Sequence, residues 1–597
     1  MLLQRLSEYA DEMQKRQGLP PTLYNETPIA SIIDLDGGSG RATLISTLNP
    51  ANPREKRGIR RLAPQIARAV GIQPLLLADN AEYTFGLPRP VKPEDTNAEK
   101  EAKRLVRVAD CHEQYMDILT RCATATHEPA VEAVRAFLTS PDAAESLDLP
   151  DDFDRGGLIT FRVDGVFPTE LPAVQAFWAA EHDPASSATQ PVTTMQCLVC
   201  GQNRPVLERL QGKIKGVPGG QTSGTSIISA NADAFESYGL AASLIAPTCA
   251  SCGEKFTKAL NALIADEQHR FFLGGSVFVF WTREPTTFSL LDTLNTPDPA
   301  TVKRLLASLG RGEETRGVDA NAFYAVSLSG SGGRAVVRDW VDTTVGDVQR
   351  HVGRWFARQR IVGDAGEEPE PIGLFRLAAA TVRDGKDLTP QTAHALLHAA
   401  VTGTPLPWNL LAQAVRRNQA EQRVTRTRAA LIKLVLASQE NIKGGTMVQL
   451  EPDYAHPTLD QSSAAYHCGR LLAILENAQD AAIPGIKAGI VDRFYGTASS
   501  APVAVFSRLM RGVQPHLAKL ERDNHGAYVN IQRELTEVLS RLSVERDPHT
   551  GLMAGFPRTL TLEQQGLFSL GYYHQRAKRF TRTVRAAEQV QGDSDDA

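Results

Sequence analysis

The chain has 597 residues, of which 42% are hydrophobic and 22% charged, with a net charge of −4. A length of this order can bury roughly three or four separate cores, and mixed-sign charge marks a soluble globular class. The balance excludes a uniformly basic nucleic-acid coat but not local cationic patches, because phosphate affinity depends on the charges that reach the backbone. No apolar run approaches membrane-spanning length, and Met1-Leu2-Leu3-Gln4-Arg5 lacks the basic head and apolar core of a signal peptide. Seven cysteines, four of them in metal spacing, point to a reducing compartment and hence to the cytoplasm.

Residues 1–17 carry Leu2, Leu6, Tyr9 and Met13 at helical spacing, and Pro20-Pro21 ends that helix. Strands are expected at Ile32–Asp34 and Ala42–Ile45, joined by Asp36-Gly37-Gly38-Ser39-Gly40. Asp34 and Asp36 mimic a cation loop, yet the rest of a calcium motif is absent, so the stretch reads as a turn. Arg54, Lys56, Arg57, Arg60 and Arg61 then crowd five cations against the single acid Glu55, with Gln65 close behind. Such a loop can neutralise several phosphates; a solvated charged face is the alternative. Ala78 to Tyr83, which includes Asn80, is a polar-aromatic stretch that composition does not explain. Residues 98–140 read as helix, 141–160 as turns, and Leu158–Val163 as a strand.

Cys197-Leu198-Val199-Cys200 and Cys249-Ala250-Ser251-Cys252 are each followed by glycine. A CxxC knuckle sets two thiolates on one tight turn, so two knuckles supply four soft ligands, a set suited to a closed tetrahedral Zn²⁺. The intervening segment is longer than usual ribbon spacing, and four reduced cysteines without a metal are the alternative. Neither pair falls at a recognisable strand-to-helix junction, which disfavours a redox reading. Between the knuckles, Lys213 and Lys215 bring charge, and Gly216, Gly219, Gly220 and Gly224 allow close backbone approach to a phosphate chain. Gln221, Ser223, Thr225 and Asn231 can hydrogen-bond, while Phe235 and Tyr238 can stack or wedge. A flexible glycine-rich surface loop is the competing reading.

Beyond the cysteines, a helix is expected at Ala259–Gln268 and a buried strand at Gly275–Trp281. A hairpin follows at Ala322–Leu328 and Arg334–Val341 around Gly330-Ser331-Gly332-Gly333, then a helix at Thr344–Arg358. From about residue 370 the pattern is almost wholly helical, with Arg416, Arg417, Arg423, Arg426 and Arg428 forming a second basic patch opposed by Glu421. Apolar stripes through Cys468, through Val503 to Leu520 and through Tyr528 to Leu542 call for a bundle, with Pro515 expected to kink the middle helix. A last helix, Phe568–Arg585, carries Arg576, Lys578, Arg579, Arg582 and Arg585, and Gly592–Ala597 reads as a disordered acidic tail. Arg508, Arg511 and Lys519 add to a basic face that suits single-stranded nucleic acid, or equally salt bridges to neighbouring subunits.

Catalytic signatures fail residue by residue. His394 and His398 have zinc-protease spacing, but Ala395 occupies the general-base position, so they read as core or surface histidines. Gly219 and Gly224 have P-loop spacing with Thr225 in the lysine slot, and no GxSxG elbow occurs.

The stretches DNAEYTFG (79–86), CLVCGQ (197–202), KIKGVPGGQTSGTSIISANADAFESYG (213–239), RDWVDTTVGDV (338–348), RAALIKL (428–434), DRFYGTASSAPVAVFSRL (492–509) and LTLEQQGLFSLGYYHQR (560–576), in that order, carry a resemblance. Together they resemble the large subunit of the type I-C CRISPR Cascade. The resemblance implies a non-enzymatic subunit that sits at the crRNA 5′ handle, recognises the PAM in double-stranded target DNA and helps open the duplex. It implies partners: crRNA, the displaced non-target strand, the handle-binding and backbone Cascade subunits, and a recruited helicase-nuclease. It also implies a small subunit made from the same gene, for which Met447 is the candidate internal start. Arg54, Lys56, Arg57, Arg60 and Arg61 become candidates for handle or duplex phosphates. Gln65, Asn80, Lys213, Lys215, Gln221, Ser223 and Asn231 become candidates for PAM-side contacts, with Phe235 as a wedge. The family pattern retains the first cysteine more widely than the other three, which makes zinc a local stabiliser.

The expected fold class is α+β and multidomain: a mixed region at 1–190, a zinc-knuckle segment at 191–260, a hairpin and helix unit at 261–370, a helical connector at 371–446 and a helical bundle at 447–597. Two rival functions remain, an assembly scaffold touching only other subunits and a zinc-dependent nucleic-acid enzyme. Four cysteines close the coordination sphere that such an enzyme would need open.

Overall fold

The computed structural model describes the chain except residues 17–18, 50, 53–55, 67–70, 91–97, 151–152, 183–192, 211, 231, 287, 311–319, 365–369, 440–462, 543–554 and 596–597; it gives the backbone alone at 98, 291, 305, 307–310 and 580–595. Arg54, Asn231 and Met447 therefore lie outside the described residues. The chain forms two compact units, Met1–Gly216 with Thr222–Ala262, and Val217–Gln221 with Leu263–Ala597. The class is mixed α+β with a helical C-terminal region, as the periodicities foretell.

In the first unit, Ser31–Leu35 and Ile159–Val163 pair in parallel at the centre of a four-stranded sheet, with Ala42–Ser46 and Ala78–Asp79 at its edges. Alternation along these strands turns Ile33, Leu35, Phe161 and Val163 into a core shared with Tyr115, Leu119, Val134 and Trp178 of the helices Ala98–Thr126, Pro129–Thr139 and Pro172–Glu181. The turn after Leu35 closes on itself: Asp36 Oδ1 accepts from the Gly38 and Ser39 amides at 2.9 and 2.8 Å, which makes it a turn and not a cation loop. A separate two-stranded sheet pairs Tyr24–Ile29 with Ile59–Pro64.

The second unit begins as an antiparallel meander, Arg270–Leu273, Ser276–Thr282, Ala322–Ser331 and Arg334–Thr344, followed by the helix Val345–Gln359. The VFVFW run is buried, and Trp281, Tyr324 and Trp340 cluster within 6 Å of one another (5.5, 5.7 and 5.9 Å between centroids), Tyr324 stacked on Trp340 and Trp281 tilted against both. One continuous core extends from Leu273 to Ala577. Its C-terminal part packs the helices Ile490–Ala498, Pro502–Asp523, His525–Leu542 and Leu562–Asp595 around Ala464–Ala482. Glycines at the crossing explain how close the first and last of these come. A Cβ on Gly469 would strike the Phe568 carbonyl, and one on Gly571 would strike the Tyr466 carbonyl.

Two expectations need correction. Val503, placed at the start of an apolar stripe, is 45% exposed, because the buried face begins at Val505 and Phe506. The last helix runs on to Asp595, past the expected stop at Arg585 and into the tail expected to be disordered; the Ala, Glu and Gln residues there are good helix formers. Among the described residues no helix is long and apolar enough to cross a membrane.

The bundle buries a polar network. Arg470, wholly enclosed, donates to Gln575 Oε1 at 2.9 Å and to Glu537 Oε1 at 3.0 Å, and Tyr466 shares a 2.8 Å hydrogen bond with His574 Nδ1. Burial, then the charges of Lys433 and Arg470, push the His574 imidazole down to about 3. An unfolded histidine titrates near about 6.5, so between those limits the unfolded chain binds a proton that the folded bundle refuses. Stability from this group is complete above about pH 6.5 and falls by about 1.4 kcal/mol per pH unit as the solution is acidified toward 3. Urea unfolding of the second unit at pH 7 and pH 5 should show this loss, and His574→Asn should flatten it.

Candidate metal centre and cationic loops

The four cysteines converge. Cys197 and Cys200 occupy the turn between the short strands Thr194–Gln196 and Asn203–Pro205, where Gly201 takes a φ of +72° and its amide donates to the Cys197 carbonyl at 2.8 Å. Cys249 pairs with Val206 through one bridge, and Cys252 lies in the first turn of the helix Ala250–Ala265. The second pair therefore does open a helix, contrary to the sequence reading, because a single bridging residue leaves no strand signature. All four Sγ atoms lie within 4.8 Å of one another, and no disulfide forms. Cys197, Cys249 and Cys252 are buried, and Cys200 is exposed.

The electrostatics fit a cation. Burial pushes the Cys197 thiol up, but the backbone amides of Cys200, Cys249 and Val199 outweigh it and hold the group at about 7. Burial, followed by the neighbouring thiols, pushes Cys252 well up, and burial likewise raises Cys249. One thiolate forms readily, and its charge opposes ionisation of Cys249 and Cys252. A divalent ion removes that conflict, so Cys197, Cys200, Cys249 and Cys252 are the residues that would hold a metal.

The same helix ties down its surroundings. Glu254 accepts from the Leu23 amide at 2.5 Å, and Lys258 donates to the Pro20 and Pro21 carbonyls at 3.2 and 2.6 Å. Asn261 accepts from the Lys215 amide at 2.8 Å and donates to the Lys213 carbonyl at 2.9 Å. Lys213 and Lys215 are thus presented from a fixed backbone; both are exposed, and Lys213 Nζ donates to Ser226 Oγ at 2.8 Å. Ser223 is exposed as well. Thr225 is buried and pairs with Ile214, so the P-loop lookalike is a bridge closing the loop. Farther on, Phe235 is 46% and Tyr238 98% exposed, Tyr238 with a left-handed backbone (φ +56°).

The glycines here answer to protein backbone, a role neither sequence reading foresaw. Within the second unit, Gly220 bridges Gly332, the Gly330 amide donates to the Pro218 carbonyl at 2.6 Å, and the amide of exposed Gln221 donates to Gly332 at 3.0 Å. A Cβ on Gly330 would strike the Gly219–Gly220 peptide. Within the first unit, Gly224 adopts φ +104° with its Cβ position 2.8 Å from Lys213 Cβ.

The other candidates divide. Lys56, Arg57, Arg60 and Gln65 are exposed, and Gly58 (φ +98°) presses this turn against the Ile29 carbonyl. Arg60 bonds the Glu26 carbonyl at 2.7 Å; Arg61 pairs with Glu170 at 3.3 Å and covers the Phe167 ring at 3.9 Å. Asn80 was expected at the PAM side, but it is only 4% exposed: its side chain caps the helix Ala81–Thr84 by accepting from the Glu82 amide. The basic patch at 416–428 is partly internal, with Arg416 and Arg423 exposed. Arg417 and Arg428 both pair with Glu421, Arg428 is buried, and Arg426 bonds the Glu370 carbonyl at 2.7 Å. On the last helix Arg576 pairs with Glu476, Lys578 with Glu537 and Arg579 with Asp480, partners within the chain itself. Arg508, Arg511 and Lys519 are exposed along one face of the helix Pro502–Asp523. The helical phase adds exposed Arg522 to that face, which the search for clustered arginines missed. Lys519 Nζ donates to the Ala482 carbonyl at 2.9 Å, and Arg508 lies 5.5 Å from the Phe494 ring centre.

A family model described as CRISPR-associated protein (Cas_Csd1) matches residues 6–580. The chain belongs to the CRISPR-associated Csd1 family. This agrees with the resemblance to the type I-C Cascade large subunit read from the motifs, and makes the chain a CRISPR-associated Cascade component. No curated protein matches the sequence. The Csd1 match spans nearly the whole chain, so both units belong to it.

Two outcomes follow from this geometry. Cys200→Ser should remove one equivalent of bound metal per chain by elemental analysis and speed protease cleavage within 197–252. Gly330→Ala should separate residues 217–221 from the hairpin; cleavage at 217–221 in limited proteolysis should accelerate several-fold, with the far-ultraviolet spectrum unchanged.

Proposed function

We propose that this Csd1-family chain is the non-catalytic large subunit of a type I-C Cascade, holding the crRNA 5′ handle end, reading the PAM in duplex DNA and aiding R-loop formation. The family match over residues 6–580 carries the reading. Supporting it in the first unit are exposed cations on stiffened backbone: Lys56, Arg57 and Arg60 at a turn that only glycine permits, and Lys213 and Lys215 on a segment bonded to Asn261. Fixed cations lose little conformational entropy on meeting phosphate, which favours them over free surface lysines. Ser223 and Gln221 are exposed polar groups for base edges or phosphates, and Phe235 is the exposed aromatic that suits a wedge.

Zn²⁺ is the ion that suits the four thiolates, held in a closed sphere that stabilises the first unit and activates no water. In the second unit, the row of Arg508, Arg511, Lys519 and Arg522 suits the displaced strand. Other Cascade subunits, crRNA and the recruited helicase-nuclease are the partners this assignment entails, along with a small subunit started at Met447.

Duplex binding by the reconstituted complex over a salt series tests the assignment. Lys213→Ala/Lys215→Ala should weaken PAM-duplex affinity about tenfold or more at 0.15 M salt and flatten the log–log salt slope by about 1–2. A slope unaltered by the substitution would remove these lysines from the interface. A wild-type complex with neither salt dependence nor motif preference would leave scaffolding as the function.

A further inference from the structure

His394 and His398, which the sequence assigns to core or surface, meet a carboxylate from a different element. They stand one turn apart on the helix Pro390–Thr402, and Asp339 reaches them from the strand Arg334–Thr344, 59 residues before His398. Asp339 Oδ2 lies 2.7 Å from His398 Nδ1 and 3.7 Å from His394 Nδ1. The ligand-capable atoms of all three residues fall within 4.8 Å of one another. We propose that Asp339, His394 and His398 form a second metal site, distinct from the four cysteines, that binds a borderline divalent transition ion such as Zn²⁺ through two imidazoles and one carboxylate.

The donor set is the first support. Imidazole and carboxylate suit Zn²⁺ and its neighbours, and exclude the thiolate-seeking preference of the other cluster. Spacing is the second. Ligands bonded at about 2.0–2.1 Å around a tetrahedral ion stand roughly 3.3 Å apart, a figure bracketed by the 2.7 and 3.7 Å seen here. The third is an unmet need. His394 Nδ1 is buried with no hydrogen-bond partner among the described residues, although it faces a carboxylate oxygen that His398 already engages. A proton on one ring satisfies one nitrogen at that oxygen; a cation between the three satisfies both rings and the carboxylate together.

Both supporting backbones are fixed. Asp339 pairs with Ser327 of the neighbouring strand, beside a β-bulge between Ser327 and Leu328. The helix is pinned at each end: Gly274 admits the Thr389 carbonyl, which would stand 2.8 Å from a Cβ there, and His351 Nδ1 bonds the Val401 carbonyl at 2.8 Å. Entry is open, since the Asp339, His394 and His398 side chains are 19, 30 and 33% exposed. Phe278, Val341, Leu397 and Val401 line the cavity beside Asp339 and His398, and an apolar wall of this kind limits competing solvent. With Ala395 in place of a glutamate base, the ion clips the strand to the helix, and water fills its remaining position.

The full-length chain, stripped with chelator and titrated with Co²⁺ and separately with Zn²⁺, tests this. Cobalt at the cysteines gives intense thiolate charge-transfer absorption in the near ultraviolet; cobalt at a nitrogen–oxygen site adds only weak visible bands. Wild type should bind two equivalents of either ion. Asp339→Asn, which keeps an acceptor for His398, and His394→Gln should each bind one, with the charge-transfer band intact. Zn²⁺ should raise the Tm of the second unit in wild type and not in either variant, while all three melt alike in chelator. A wild-type stoichiometry of one, or two equivalents retained in both variants, would overturn the proposal.

Discussion

One helix, Ala250–Ala265, fixes most of what the first unit can present. Its opening turn carries Cys252 directly after Cys249, its next turn bonds the Pro20–Leu23 backbone through Glu254 and Lys258, and Asn261 beyond holds the Lys213–Lys215 segment by both of its amide atoms. These contacts follow one another along a single rigid rod. An ion held at its N-terminus would steady the orientation from which Asn261 reaches the lysines, without itself touching what they meet. Lys258 is mostly buried, and burial lowers its pKa, offset in part by Glu254. A group bound to carbonyls at that depth is a fastener, leaving Lys213 and Lys215 as the outward charges.

Local periodicity and spacing were legible because each is decided within one or two turns of chain. The strand Ser276–Thr282, the hairpin after it and the helices from Ala464 onward follow from alternation or from steps of three and four. The CxxC pairs were legible for the same reason. What periodicity does not carry is partnership. Five arginines between 416 and 428 read as a patch because the chain shows their charge, whereas the structure shows Glu421 shared between two of them and Arg428 buried. Asn80 reads as a polar group for recognition until its place at the start of the helix Ala81–Thr84 is known. Charge is written in the sequence; exposure is decided by the partner.

Glycine gives the sharpest instance. A run with four glycines between residues 216 and 224 invites a phosphate, since removing Cβ admits any flat polar chain. Gly219 and Gly220 admit instead the backbone of Gly330 and Gly332, a second glycine-rich turn more than a hundred residues away. Each run explains the other, and neither alone specifies what approaches. The crossing of Gly469 with the last helix near Gly571 obeys the same rule in the bundle. Paired glycine positions at long separation are better read as mutual contacts before either is offered to a ligand.

The two clusters able to hold an ion show why one was read from the chain and the other was not. The cysteines announce themselves because each knuckle puts half of the ligand set on one turn, and the thiolate set is scarcely used for anything else in a reducing compartment. His394 and His398 supply the same kind of local half-set. Their missing ligand belongs to a strand, where Asp339 is one of two acids on a hairpin and nothing in its spacing singles it out. Ala395 removes the zinc-protease signature from the sequence without bearing on a third ligand from elsewhere. Three-dimensional proximity asks a different question, whether some other element closes the sphere, and the register of Arg334–Thr344 on its neighbour places Asp339 opposite Ser327, within reach of both rings.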